Sequence, residues 1–157
     1  MNIFVLDLDT KECAKNHNDR HVVKMILETT QLLNNALTKC DSSYVGGYKP
    51  THVNHPASIW VSESYINFSW LMHLGLELCN EYTYRYGKVH KCQSMIEHME
   101  KSPSRKKLAC CGITPFKLCM PDQYKIGDAV QSYRAYYTGA KRHIAKWKNR
   151  EQPYWWV

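Results

Sequence analysis

The stretch from Asn16 to Leu37, NHNDRHVVKMILETTQLLNNAL, constrains this chain more than any other. Val22, Met25, Ile26, Thr29, Leu32, Leu33 and Ala36 recur at spacings of three and four, which sets one apolar stripe against a core and predicts an amphipathic helix. Asn18 or Asp19 supplies a side-chain oxygen for its first free backbone amides. The stretch also carries more ionisable chemistry than a packing helix needs. His17 and His21 fall one turn apart, and Glu28 follows His21 by seven residues, so both point the same way about 10 Å apart along the axis. Lys24 between them biases both electrostatically. Periodicity alone leaves two readings open. Either an acid, a base and a cation share one edge, or a solvated glutamate follows a histidine bonded within the first turn.

Around this helix the chain reads as short and helical. Its 157 residues fit one domain, 1–157, large enough to bury a core. Residues Asn2–Leu8, NIFVLDL, read as an extended arm too short to stand alone, and Asp9 or Thr10 caps a short helix through Asn16. A Gly- and Pro-marked loop runs from Asp41 to Asn54, long enough to be functional. Pro56 suits a first helical position, with Asn54 or His55 as cap. Ile59, Trp60, Tyr65, Ile66, Trp70, Leu74, Leu78 and Tyr82 then predict one long helix from Ala57 to about Tyr86, stopped by Gly87. A weaker helix spans Val89 to Lys101, and a basic loop with Arg105, Lys106 and Lys107 follows. Thr114-Pro115 opens a helical turn that Pro121 closes, and Asp128 caps a final helix reaching Arg150. No strand pattern survives beyond the arm. The expected fold class is mainly α, a compact single-domain helical bundle with an extended N-terminal arm.

The net charge of +7 favours an acidic partner, nucleic acid ahead of anionic membrane. Seven cysteines without a CxxC pair, and no apolar run near the length of a membrane span, are the usage of a reducing cytosol. Adjacent Cys110 and Cys111 sit badly in a tetrahedral site with Cys119, so no metal is expected. There is no Walker loop, no GxGxxG and no GxSxG.

Several blocks, taken in order, resemble the phage endonuclease V type of pyrimidine-dimer DNA glycosylase and its bacterial relatives. Asp19-Arg20-His21, then Glu28, is similar to that family's Asp-x-His and catalytic glutamate at the same histidine-to-glutamate spacing. GYKPTHVNHP, Gly47 to Pro56, resembles the Tyr-rich, His-Pro loop of the bacterial branch. The aromatic helix after it, and the segment AVQSYRAYYTGAKRHIAKWKNREQPYWW, resemble the family's later helix and aromatic tail.

The resemblance implies a helical domain that grips double-stranded DNA, flips a base out of the stack and attacks the sugar without a cofactor. The nucleophile would be the N-terminal amine, which displaces the base and forms an imine with the deoxyribose; a free α-amine titrates near 8, so a neutral fraction exists at pH 7. Asn2 disfavours methionine removal, which gives that amine to Met1, and the arm must fold back to bring it to the acid/base carboxylate of Glu28. His21 would lie beside the sugar or phosphate, among Arg20, Lys24, Gln31, His52, Asn54 and His55. Leu27 and Gln31 stand where the family carries arginines. Arg142, Lys146, Lys148 and Arg150 would hold backbone phosphates, with Trp147, Tyr154 or Trp155 as a stacking wedge. The expected function is excision of a damaged or modified pyrimidine, with strand-nicking AP-lyase activity as an extension. The expected location is the cytoplasm, a host's if a virus encodes the chain. Two alternatives stay open: a same-fold enzyme modifying a base by group transfer or hydrolysis, and a non-catalytic nucleic-acid-binding module.

Overall fold

Side-chain caps decide where five of the six α-helices begin in the computed structural model, which describes residues 1–157. Asp9 accepts from the Glu12 amide at α1 (Thr10–Asn16), Asn18 from His21 at α2 (Asp19–Cys40), and His55 Nδ1 from Ala57 at α3 (Pro56–Glu63). Ser64 does the same for Asn67 at α4 (Tyr65–Tyr86), and Asp128 for Gln131 at α6 (Ala129–Ala140). Only α5 (Gln93–Lys101) starts without one. Gly87, at φ 64°, ends α4 in the left-handed conformation that a glycine takes without strain. No strand forms, and the fold is mainly α as expected.

Helix α2 is the element the others pack on. Its expected stripe is buried throughout, with α4 along one side and α3 and α5 on its flanks. A Cβ on Gly75 would meet Thr29 Cγ2 at 2.8 Å, so a residue without a side chain lets α4 lie this close. The arm fills the remaining side of the core. Ile3, Phe4, Val5 and Leu6 are buried, each contributing on the order of 2 kcal/mol, so packing rather than a sheet holds the arm in place. Trp70 Nε1 donates to the Leu8 carbonyl and Arg134 Nε to the Leu6 carbonyl, which fixes the arm between α4 and α6.

Five expectations about elements are corrected. The single helix from Ala57 to Tyr86 is two, because Ser64 is extended (φ −154°, ψ 157°) and Tyr65 donates to the Ala109 carbonyl. The break lets Trp60 and Trp70 both pack on Phe116, at 4.9 Å between centroids, and leaves Ile59 and Ile66 exposed. His17 is not on the helix of His21; it closes α1, with Nδ1 2.7 Å from the Cys13 carbonyl. The helix expected from Val89 begins only at Gln93. The turn expected at Thr114-Pro115 does not form; this stretch is irregular chain, tied to α4 through the Asn67 amide. The final helix stops at Ala140 instead of Arg150, because the chain beyond it bonds to the start of α2: Asp19 N donates to the Lys146 carbonyl and Lys148 N to Asp19 Oδ1.

The loop after α2 is held by that helix's own amides. Asn35 brackets Thr51, donating to its carbonyl at 2.6 Å and accepting from its amide at 3.1 Å, and Asn34 Nδ2 donates to the Tyr48 carbonyl. The loop thereby presents its last residues, His52 to His55, beside the middle of α2.

Candidate active site

Glu28 lies two turns beyond His21 on α2 and is 8% exposed. Its Oε2 accepts from the Asn2 backbone amide at 2.9 Å and stands 3.9 Å from the Met1 amine; its Oε1 pairs with Lys24 Nζ at 3.3 Å. The carboxylate therefore faces two cations and a main-chain donor. The beginning of the arm is located by Asn2, whose Nδ2 donates to the Cys119 carbonyl and whose Oδ1 accepts from Ile3 N and lies 3.0 Å from the Tyr133 hydroxyl. Met1 is half-buried as a residue while its side chain is only 3% exposed, so what solvent reaches is its main-chain part, to which the amine belongs. A thioether anchored in the core thus holds the chain amine beside an acid.

His55 joins this group from the loop. Its Nδ1 accepts from Ala57, which leaves a hydrogen on Nε2 in the neutral ring. Its pKa is lowered first by partial burial, then by the charge of the chain amine and by His52, against an opposing pull from Glu28. His52 itself is exposed at φ 51°, with Nδ1 2.8 Å from the Thr51 hydroxyl. Asn54 lines a cleft of about 480 Å³ with Asn35, Thr38, Lys39 and Ser58.

His21 is 6% exposed and stacks on Phe4 of the arm, with centroids 4.4 Å apart and planes at 22°. Its Nδ1 is 2.6 Å from the Tyr137 hydroxyl of α6. Its pKa falls to about 3, from burial first and then from the charges of His17, Lys141 and Lys24, so the ring is neutral. Arg20, Lys24 and Gln31, spaced by four and seven residues, follow one stripe of α2 next to the His21 and Glu28 edge; Arg20 and Lys24 are exposed and Gln31 half-buried.

The terminal residues are placed elsewhere. Asp19 begins α2, nine residues before Glu28, about 13 Å along the helix, and it is there that Lys146 and Lys148 attach. Arg150 Nε and Nη2 bind the two oxygens of Glu81, and the Arg142 guanidinium bonds the Val157 carbonyl. Trp147 is corrected from wedge to core residue: it is 8% exposed and its Nε1 donates to the Asn16 carbonyl. Trp155 is half-buried against Tyr137 and Arg134, whereas Tyr154 is exposed.

Sequence reasoning missed Arg85, Tyr137 and Lys141. Arg85 is fully buried in α4, donating to Glu81 at 2.7 Å, to Asp19 at 3.0 Å and to the carbonyls of His17 and Lys15. It ties α1, the start of α2 and α4 together, which gives Asp19 of the Asp-x-His block a structural task. Its only signal was a basic residue within an aromatic helix. Chemically, the cluster can hold a neutral or charged amine against a carboxylate at an open edge, with imidazoles and ammonium groups beside it.

No curated protein and no solved structure matches the chain significantly. A family model described as pyrimidine dimer DNA glycosylase matches residues 1–94, which contain the arm, α1 to α4, Met1, His21, Glu28 and the His-Pro loop. With more than half of its length matched by that model, and with the chain amine held against the spaced glutamate, the chain belongs to the pyrimidine dimer DNA glycosylase family.

Proposed function

We propose that the protein excises a damaged pyrimidine from double-stranded DNA through its own α-amine, with Glu28 as acid and base, and then nicks the strand. The observation that carries this reading is the approach of the Met1 amine to Glu28, 3.9 Å apart, with solvent reaching Met1 through its main chain and not its side chain. The amine must be neutral to attack, and the adjacent carboxylate accepts the proton it loses. Its nitrogen lone pair bonds to C1′ of the deoxyribose. The N-glycosidic pair leaves with the base, which takes up a proton.

Opening of the sugar then transfers the C1′–O4′ pair to O4′, which is protonated, and leaves a cationic imine between C1′ and the amine. Glu28 is placed to donate that proton and to balance the imine's charge. Removal of a C2′ proton expels the 3′ phosphate by β-elimination, and water on C1′ restores the free amine. No step calls for a metal or an organic cofactor. His52, Asn54 and His55 approach from the loop, and Arg20, Lys24 and Gln31 border the sugar's neighbouring phosphates from α2.

Borohydride tests the reading directly. Incubated with a duplex carrying a pyrimidine dimer or an abasic site, the protein is expected to be trapped covalently, and mass spectrometry to place the adduct on the peptide that starts with Met1. A duplex that is cut without any trapped adduct on that peptide overturns the amine mechanism. No cutting and no trapping on either duplex overturns the enzymatic reading.

A further inference from the structure

The bond between His21 and Tyr137 bears on where the imidazole keeps its hydrogen, because His21 Nδ1 is the partner of a buried phenol. Tyr137 is fully buried on α6, and burial pushes its phenol well above its ordinary range, so it stays protonated. The nearby Asn18 backbone acts to lower that pKa without overcoming the burial. The hydroxyl has a single hydrogen to give, and His21 Nδ1 lies 2.6 Å away. With Nδ1 as acceptor, the neutral ring carries its hydrogen on Nε2. Phe4 stacked on one face and the edge of Tyr137 at 5.2 Å keep the ring from turning.

The other nitrogen faces a different environment. His21 Nε2 has no protein partner, and unlike Nε2 of His17 it is not sealed from solvent. The two ammonium groups that act on the ring are Lys24, from α2, and Lys141, from the end of α6. Lys24 also binds Glu28, so this opening adjoins the amine site. A neutral donor within the field of two cations suits an anionic oxygen, and it binds one without adding a third positive charge.

We propose that Tyr137 is a positioning residue for base excision: its buried hydroxyl holds His21 as the tautomer with the hydrogen on Nε2, which presents a fixed N–H donor, on the edge of α2 that also carries Lys24, to a phosphodiester oxygen of the damaged strand. The inference rests on the glycosylase reading for the identity of the anion and on the buried hydrogen bond alone for the tautomer. A donor fixed before the substrate arrives needs no reorganisation at the moment of reaction.

Long-range proton–nitrogen correlation spectra of the histidine-labelled protein read the tautomer with no assay of activity. His21 is expected to show a protonated Nε2 and an acceptor Nδ1 at neutral pH. The binding arm uses a duplex with a tetrahydrofuran abasic analogue, which cannot form an imine. Tyr137→Phe is expected to weaken that binding about tenfold with the salt dependence unchanged, since a neutral donor is lost, whereas Lys141→Ala lowers the salt slope by about one. His21→Gln, whose amide nitrogen can stand near the Nε2 position, is expected to bind better than His21→Asn. A hydrogen found on Nδ1 of His21, or a Tyr137→Phe protein that binds as tightly as its parent, overturns the proposal. Borohydride trapping that fails while the tautomer and the binding losses hold removes the amine mechanism and leaves this inference standing.

Discussion

The Asn2 backbone amide donates to Glu28 Oε2 at 2.9 Å, and this bond sets the Met1 amine, one residue earlier in the chain, against the same oxygen. Twenty-six residues of chain separate the two groups, so the pairing is tertiary. It depends on the arm being buried along α2 and α6.

Glu28→Gln keeps the shape of the side chain and an oxygen for the Asn2 amide, yet removes the acid and the negative charge. Excision and imine trapping are expected to fall by about 10²- to 10⁴-fold, while binding to an abasic-analogue duplex is retained or slightly strengthened. Single-turnover strand cleavage beside fluorescence anisotropy measures both. If the variant instead melts far below its parent, the glutamate is a structural residue.

Moving the amine is a second test of the same geometry. One glycine added before Met1 displaces the terminal nitrogen by about 3.5 Å while leaving every side chain in place. Imine trapping is expected to be lost by at least tenfold without change in thermal stability. Full trapping by the extended protein would place the nucleophile elsewhere.

The fold was legible where its causes are local. Asp9, Asn18 and Asp128 cap helices that begin where the sequence puts them, and the α2 stripe is buried at every position named. Ser64 was invisible because apolar spacing runs through it; the break comes from a bond to Ala109, distant in sequence. The terminal helix was overextended for a related reason. Basic and aromatic residues continue a helical pattern to Arg150, but Asp19 captures the Lys148 amide and Trp147 is needed in the core. In the candidate site, Glu28 and His21 could be found by spacing. Tyr137 and Lys141 could not, since only the meeting of α6 with α2 brings them to the imidazole.

Two buried imidazoles make the fold sensitive to acid. His17 is held near a pKa of about 4 and His21 of about 3, chiefly by burial, against 6.5 for an ordinary histidine. Between those values the unfolded chain takes up protons that the folded one refuses, so stability is full above about pH 6.5 and declines as pH falls. His17 alone should account for about 3 kcal/mol between pH 6.5 and 4. Urea denaturation across this range, compared with His17→Asn, isolates the effect: the variant keeps a donor for the Cys13 carbonyl and is expected to show a flatter profile.

Arg85 should be among the costliest residues to replace. Arg85→Met strands Glu81 with Arg150 alone and leaves the carbonyls of Lys15 and His17 without their donors, for a loss of about 3–5 kcal/mol. Chemical denaturation measures it. Adding Glu81→Gln should recover none of the loss, because Arg150 still binds both Glu81 oxygens in the single variant. A single variant as stable as its parent would mean that water replaces the guanidinium without penalty.

The terminal cations divide into two kinds, and salt separates them. Arg150 is bound to both oxygens of Glu81, whereas Lys146 is exposed and Lys148 rests its ammonium 5.3 Å above Tyr86. If Lys146 and Lys148 touch phosphates, alanine at both weakens binding to every duplex about equally and lowers the slope of log K against log salt by about two, with the melting temperature unchanged. Arg150→Ala should do the reverse, lowering the melting temperature through Glu81 and leaving the slope within experimental error. Lys24→Ala combines the two expectations, because the ammonium that binds Glu28 is also the one exposed on the α2 stripe: the slope drops by about one and imine trapping changes with it. A Lys24→Ala protein with an unaltered slope would show that DNA does not pass along this edge of α2, and the amine would then have to be reached from the side of the His52 to His55 loop.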